Sequence, residues 1–254
     1  MLPAESLPTL SPVASKAPLD PETEAYFDTC VPEYGVERLA ETAQFIAQHG
    51  GPDASLIDVG AGTGNTLAYL KESAGITDLA AIDVSSECLK VLGERVESKV
   101  HHGSILDRKF MESIDQKFDF AVIAAVLHHL IGKSRGQSRE YAEMAVVNSK
   151  LLLKPGGHLI IHEPVFSPPI AMSAVFYLKK FITRFTSGRV GIGGYWNNIG
   201  APVVSYYNSD QVRRLASAGP PSTVVDEHEQ PETLARLLRP FMKRASLTLV
   251  VRLA

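Results

Sequence analysis

The sequence predicts an α/β protein built on one seven-stranded, mostly parallel sheet with helices on both faces. Three observations carry this expectation. From Ser55 onward, short apolar runs alternate with amphipathic stretches, which is the pattern of βα units. A chain of 254 residues, 45% of them hydrophobic, can bury one large core. The glycine-rich "GAGTGN" follows the first apolar run directly and opens a helical stretch, where an α/β sheet binds ligands at the carboxyl end of a strand.

Residues 1–20, rich in Pro, Ser and Ala, have too few periodic apolar positions to offset the entropy of ordering and read as a flexible tail. Two helices are expected over residues 21–50. Asp20 caps the first, with Pro21, Glu22 and Glu24 in its opening turn. Pro32 starts the second, Leu39, Ala43, Ile46 and Ala47 share a face, and Gly50 ends it. Strands are expected at "SLIDVG", "LAAIDV", "KVHHGS", "FDFAVIAA", "GGHLIIHE", "STVVDEHE" and "SLTLVVRL". The link between the last two is short for a crossover helix and carries Pro231 and Pro240, so the final strand is expected to run antiparallel. An insertion over 165–207 follows the fifth strand. Its "PPIAMSAVFYLKKFITRF" sets Ala171, Val175, Leu178, Ile182 and Phe185 at helical spacing, with Lys179, Lys180 and Arg184 elsewhere on the surface. A glycine-rich stretch with Tyr195, Trp196, Tyr206 and Tyr207 comes next, suited to a movable cover over an apolar or aromatic small molecule. Covering the sheet, or a homodimer contact, is the alternative use of this insertion.

Composition narrows the function. A net charge of −3 gives no basic face for nucleic acid. The two cysteines, Cys30 and Cys88, have neither CxxC nor metal-ligand spacing, so no metal site is expected and a reducing cytoplasm is the expected location. No apolar run approaches the roughly 20 residues that span a bilayer, and the amino terminus lacks a signal-peptide pattern.

The chemistry begins at the turn. In Gly60-Ala61-Gly62-Thr63-Gly64-Asn65 the glycines permit positive backbone angles and let a ligand approach the main chain. A dinucleotide fingerprint needs its third glycine one position later, where Asn65 stands. Asp83, about 20 residues on at the end of the second strand, can accept hydrogen bonds from both hydroxyls of a ribose, or cap the following helix.

At these residues the sequence resembles the class I S-adenosylmethionine-dependent methyltransferases. The likeness rests on "LIDVGAGTGNTLAYL", on Asp83, on "FDFAVIAAVLHHL" and on "LLKPGGHLIIHE", and it covers about residues 55–163. It implies a Rossmann-like sheet of order 3-2-1-4-5-7-6 with an amino-terminal helical lid over 21–50, a methyltransferase domain over 51–254 and S-adenosylmethionine as cofactor. Cofactor contacts would come from Gly60, Ala61, Gly62 and Gly64, from Asp83 at the ribose, from Val84 on the adenine face, from Ser104 and Ile105 at the ring edge, and from Ala124. Many relatives have Asp where Ser104 stands. Asp58 would organise the turn, and Tyr26, Tyr34 and Arg38 on the amino-terminal helices would close over the cofactor, Arg38 being equally readable as a solvated charge.

Methyl transfer needs alignment and exclusion of water, with a base only when the acceptor carries a proton that must leave. Glu163 is the first candidate base, with a loop-ordering carboxylate as its alternative. His129 and His128 follow, at the turn after the fourth strand. His128, His162, Trp196, Tyr206 and Tyr207 are expected around the substrate. The reading that results is a methyltransferase acting on a small apolar or aromatic molecule in specialised metabolism. A nicotinamide-dependent oxidoreductase and a non-catalytic cofactor-binding protein are the alternatives.

Overall fold

The computed structural model describes residues 36–51, 53–186, 203–234 and 239–254. Seven strands form one sheet: β1 (Ser55–Val59), β2 (Asp78–Asp83), β3 (Lys99–His102), β4 (Phe118–Ala124), β5 (Leu153–Ser167), β6 (Ser222–Glu232) and β7 (Lys243–Leu253). Their order is β3-β2-β1-β4-β5-β7-β6, with β7 antiparallel to both neighbours and the others paired in parallel, as the sequence predicts. All five residues of β1 are buried, which is the burden of a central parallel strand covered on both faces.

Alternation sends Leu56, Ala81, Val122 and Ile160 to one face of the sheet. There they meet α1 (Ala40–His49), α2 (Asn65–Ala74) and α3 (Ser86–Arg95) through Phe45, Ile46, Leu67, Leu70, Leu89 and Leu92. Ile57, Ala80, Ile123 and Ile161 point to the other face, against α4 (Arg108–Glu112), α5 (Arg135–Lys150) and, after α6 (Pro169–Thr186), α7 (Ser209–Ala216). Several helix starts are fixed by side chains. Ser85 caps α3 by accepting from Cys88 N–H, Ser134 caps α5 through Gln137 N–H, and Asn208 with Gln211 makes a reciprocal capping box at α7. Lys150, fully buried, closes the far end of α5: Nζ donates to Ala216 O at 2.9 Å, Ala218 O at 2.6 Å and Ser222 Oγ at 2.7 Å. Burial lowers its pKa to about 8.

Three expectations are adjusted. The first amino-terminal helix lies outside the described residues, and the second is a 3-10 turn, Val36–Leu39, leading into α1. The fifth strand begins ahead of the expected "GGHLIIHE" and takes in Pro155-Gly156-Gly157. β5 starts at Leu153 and carries the three residues as an irregularity against β4, where the register jumps from Phe118↔Leu153 to Phe120↔His158. In α6 the buried positions are Met172 and Phe176, while Leu178 is 60% exposed along with Ile170, Tyr177 and Phe181. This helix is apolar on nearly every side, so periodicity alone cannot choose its inner face.

One feature of the sheet shapes everything above it. β4 leaves β5 at Ala124↔His162, yet β5 runs on against β7 as far as Ser167↔Lys243. The chain around Tyr207 replaces β4 there, with a bridge at Val165 and Phe166 N–H donating to Tyr207 O at 2.8 Å. The result is a wall standing above the carboxyl edge of the sheet.

Candidate active site

The first half of the site is backbone. Gly60 N–H and Ala61 N–H both donate to Ile82 O, at 2.8 and 3.0 Å, which stitches the glycine turn to the end of β2. Gly60, Gly62 and Gly64 all have positive φ, but for different neighbours. A Cβ on Gly60 would lie 2.6 Å from Val126 Cγ2, and one on Gly64 2.8 Å from Leu92 Cγ, so these two are required by the packing of the protein itself. A Cβ on Gly62 meets nothing within 4 Å. That turn therefore keeps one bare stretch of main chain facing open space.

Asp83 sits beside it. Its Oδ2 accepts from Gly62 N–H at 2.8 Å and its Oδ1 from Ser85 N–H at 2.9 Å, so each oxygen retains a lone pair for a further donor. Burial raises its pKa against these hydrogen bonds. Asp58, 1% exposed beneath the turn, has Oδ2 without a hydrogen-bond partner among the described residues. Burial first, and the neighbouring Asp83 charge second, push its pKa up to about 7. Val84 is half-buried, its carbonyl accepting from His102 Nε2 at 2.8 Å. Ser104 Oγ accepts from Leu106 N–H at 3.2 Å, and buried Ile105 is tied by its carbonyl to Asn148 Nδ2 at 2.8 Å. An open glycine, a carboxylate with capacity for two hydroxyls and a buried acid short of a donor fit a cofactor that carries a ribose and a cationic group.

The second half is made of side chains. Glu163, 1% exposed, accepts from Val126 N–H at 2.8 Å and Leu127 N–H at 2.7 Å through Oε1, and meets His128 Nδ1 at 2.7 Å through Oε2. Since a carboxylate only accepts, it fixes the His128 tautomer with the proton on Nδ1, leaving Nε2 as the basic nitrogen. The turn it holds starts at Ala125, a non-glycine with φ of 58°, whose N–H donates to His162 O at 2.7 Å. Such a backbone persists only where neighbours over-determine it, and they do here: Glu163 grips the next two amides and Val126 presses on Gly60. The two halves of the site thus touch at Gly60 and Val126.

Above this turn the rings stack. His128 lies 4.0 Å from His129 and 5.0 Å from Tyr206 between centroids, and Tyr206 lies 4.4 Å from Phe166 on the wall. Burial, His128 and the Lys179 ammonium on α6 hold the His129 pKa well below its usual value, so this ring is neutral.

The other expected residues have different places. His162 is 3% exposed, with Nδ1 at 2.9 Å from Thr248 Oγ1 and Nε2 at 3.1 Å from Ser246 Oγ, so both nitrogens are taken up between β5 and β7. Burial and then the Arg38 charge lower its pKa to about 4. Arg38 itself is half-buried rather than fully solvated. Tyr207 is buried and donates to Ser138 O at 3.1 Å, an anchor for the chain behind the wall. Ala124 ends β4, one residue before the expected end of that strand. Tyr26, Tyr34 and Trp196 lie outside the described residues. Phe166, Ala125 and Val126 join the site without having been singled out from the sequence, and Lys179, expected only as a surface charge of the insertion helix, acts on His129. Of the first three, only Phe166 left a trace in the sequence, as the continuation of the β5 alternation beyond Glu163.

Residues 57–159 match the family model of a methyltransferase domain. No curated protein sequence matches the chain. Among solved structures, the chain is similar to magnesium protoporphyrin IX methyltransferase from Synechocystis PCC 6803 with bound S-adenosylhomocysteine, at TM-score 0.58 and 11% identity over 91% of this chain and 98% of that one. It is similar to the N-methyltransferase NodS of Bradyrhizobium japonicum WM9 in complex with S-adenosylhomocysteine, at TM-score 0.56 and 16% identity over 91% and 98%. A third likeness is to an S-adenosylmethionine-dependent methyltransferase of Methanosarcina mazei, at TM-score 0.55 and 14% identity over 82% and 96%. At such identities the structures speak for the fold, and the domain match speaks for the activity. Residues 57–159 are a methyltransferase domain, and with the sheet order and the likeness of fold these findings support a class I S-adenosylmethionine-dependent methyltransferase.

Proposed function

We propose that this enzyme methylates a small apolar or aromatic molecule in specialised metabolism, with a single acceptor bound against the His128, Tyr206 and Phe166 rings. The observation that carries this reading is the union of two unlike half-sites at Gly60 and Val126, one bare backbone and one aromatic. Gly62 and its neighbours hold the amino-acid end of the cofactor, Asp83 its ribose, and Val84 with Ile105 its base. Asp58 supplies the acceptor oxygen nearest the turn. When bound, the cofactor supplies an electrophilic methyl group on a positively charged sulfur.

What the chain does is then mostly placement. The strained turn at Ala125 sets the distance between the ring stack and the glycine turn, and stacking limits how an aromatic acceptor can lie. An acceptor that must lose a proton gives it to His128 Nε2, while Glu163 acts through His128 as a positioning residue because its own oxygens are engaged. His129, kept neutral, lines the pocket without adding a charge that would repel the sulfonium.

Parallel calorimetric titration with S-adenosylmethionine, S-adenosylhomocysteine and NADH tests the cofactor half, with binding expected from the first two alone. Transfer of labelled methyl to a panel of small aromatic alcohols, amines and acids tests the acceptor half. Binding of NADH instead, or turnover confined to protein or nucleic acid, would sink this reading.

A further inference from the structure

Arg135 opens α5 directly after the Ser134 cap, and it is 7% exposed. Nη2 donates to Tyr206 O at 2.7 Å, and the guanidinium lies 5.9 Å from the Tyr207 ring centre. Among the described residues, buried Nη1 has no hydrogen-bond partner and no carboxylate pairs with this cation. Its location makes matters worse. The amino end of a helix carries partial positive charge, and the first turn of α5 has no acidic residue to offset it. Arg139, one turn on, adds a like charge, and burial with that charge lowers the Arg135 pKa. Lys180 of α6 donates to Gly132 O at 2.7 Å, bringing further positive charge to the same junction, and Lys179 acts on His129 from the next position.

A buried guanidinium with a free donor edge is built for a planar or tetrahedral oxyanion, which it can grip through two parallel N–H groups. The same side chain holds the carbonyl of Tyr206, whose ring stacks on His128. Tyr177, on α6, is 51% exposed, and its hydroxyl acts electrostatically on the guanidinium.

We propose that Arg135, at the junction of α5 and α6, binds an anionic group of the acceptor, a carboxylate or a phosphate, and so makes the preferred substrate an acidic aromatic molecule. The assignment rests on the methyltransferase reading only for the place of the acceptor. Its test is therefore run on full-length protein saturated with S-adenosylhomocysteine, whose own affinity is measured first and reports on that reading separately. The probes are 4-hydroxybenzoate and phenyl phosphate, with neutral 4-hydroxybenzyl alcohol as the control, followed by calorimetry and thermal unfolding. Either anion is expected to bind at least about ten-fold more tightly than the alcohol, a preference abolished in Arg135→Gln while S-adenosylhomocysteine affinity is kept. Exposed Arg139→Gln, which leaves the buried group in place, should weaken anion binding by about two- to five-fold and keeps the test open should Arg135→Gln fail to fold. Equal binding of acid and alcohol, no binding of either anion, or an anion preference that survives both substitutions would overturn the proposal. A preference for one anion over the other identifies which group the site was built for.

Discussion

The proposed cofactor half of this site is written in main chain and the proposed acceptor half in side chains, and the two differ in how far apart in the sequence their parts lie. Gly60 to Gly64, Asp83 and Val84 come from two successive βα turns and are held by backbone hydrogen bonds to one another. His128, Glu163, Phe166 and Tyr206 come from three separated segments and meet only because β5 outruns β4 and the chain around Tyr207 takes its place. A backbone cradle tolerates change in its neighbours, because its donors do not depend on which side chains surround them. A ring stack held by one buried carboxylate should not. If that contrast is real, damage to the acceptor half spreads through its supports, while damage to the cofactor half stays local.

The largest effect is expected at Glu163. Glu163→Ala removes the acceptor for two buried amides and for His128 at once, at a strained turn. The expected loss is about 3 to 5 kcal/mol of stability in chemical denaturation. Glu163→Gln is the finer tool. Its carboxamide oxygen can keep the amides, but its NH2 group opposes Nδ1–H and reverses the His128 tautomer. Turnover should then fall by about 10²-fold with S-adenosylhomocysteine affinity retained. Unchanged turnover across pH would remove both residues from the proton path.

Asp58 comes next, and its effect depends on pH. The folded pKa of about 7 lies above the ordinary carboxyl value of 3.8, so between those values the native chain holds a proton that the unfolded chain has released. Stability is therefore lost as pH rises from about 4 to 7, by up to about 4 kcal/mol once the carboxyl is forced to ionise. Asp58→Asn, neutral throughout, should unfold at higher denaturant than the parent at about pH 8, with the advantage shrinking toward pH 5. An advantage of equal size at both pH values would show that Asp58 does not carry the effect.

Asp83→Ala should cost about 1 to 3 kcal/mol of cofactor affinity, or roughly 5- to 150-fold in Kd, with only a modest change in unfolding. Calorimetry against S-adenosylhomocysteine decides it. Here the comparison can break: a variant that fails to fold would mean that the Gly62 and Ser85 amides depend on this carboxylate as heavily as the acceptor turn depends on Glu163.

The same contrast explains what could be read from the sequence. The strands and the antiparallel last one were legible from apolar runs and from a link too short for a crossover, the glycine turn from its place after a strand, and the strand order from the family resemblance. Neighbouring His162 and Glu163 had to point in opposite directions, and that too was legible. Which one met the catalytic turn was not, since it depends on Thr248 and Ser246 of β7 capturing the histidine. Arg135 was silent for a similar reason. A basic residue at the start of a surface helix looks solvated until Tyr206 and Tyr207, far along the chain, bury it. The inner face of α6 was hidden because both of its faces are apolar.

The smallest effect is also the most selective. Alanine at Gly62 meets no atom within 4 Å, so its cost to folding is the left-handed backbone alone, about 1 kcal/mol. At Gly60 the same methyl would strike Val126 as well, and the unfolding loss should be the greater of the two. Cofactor affinity should rank differently. The Gly62 methyl would intrude on the open main chain that the cofactor needs, so Gly62→Ala should lose more in S-adenosylhomocysteine binding than in stability. If it loses stability alone, the open space beside Gly62 is not the cofactor's place, and the local, backbone-built character of that half of the site would have to rest on Asp83 instead.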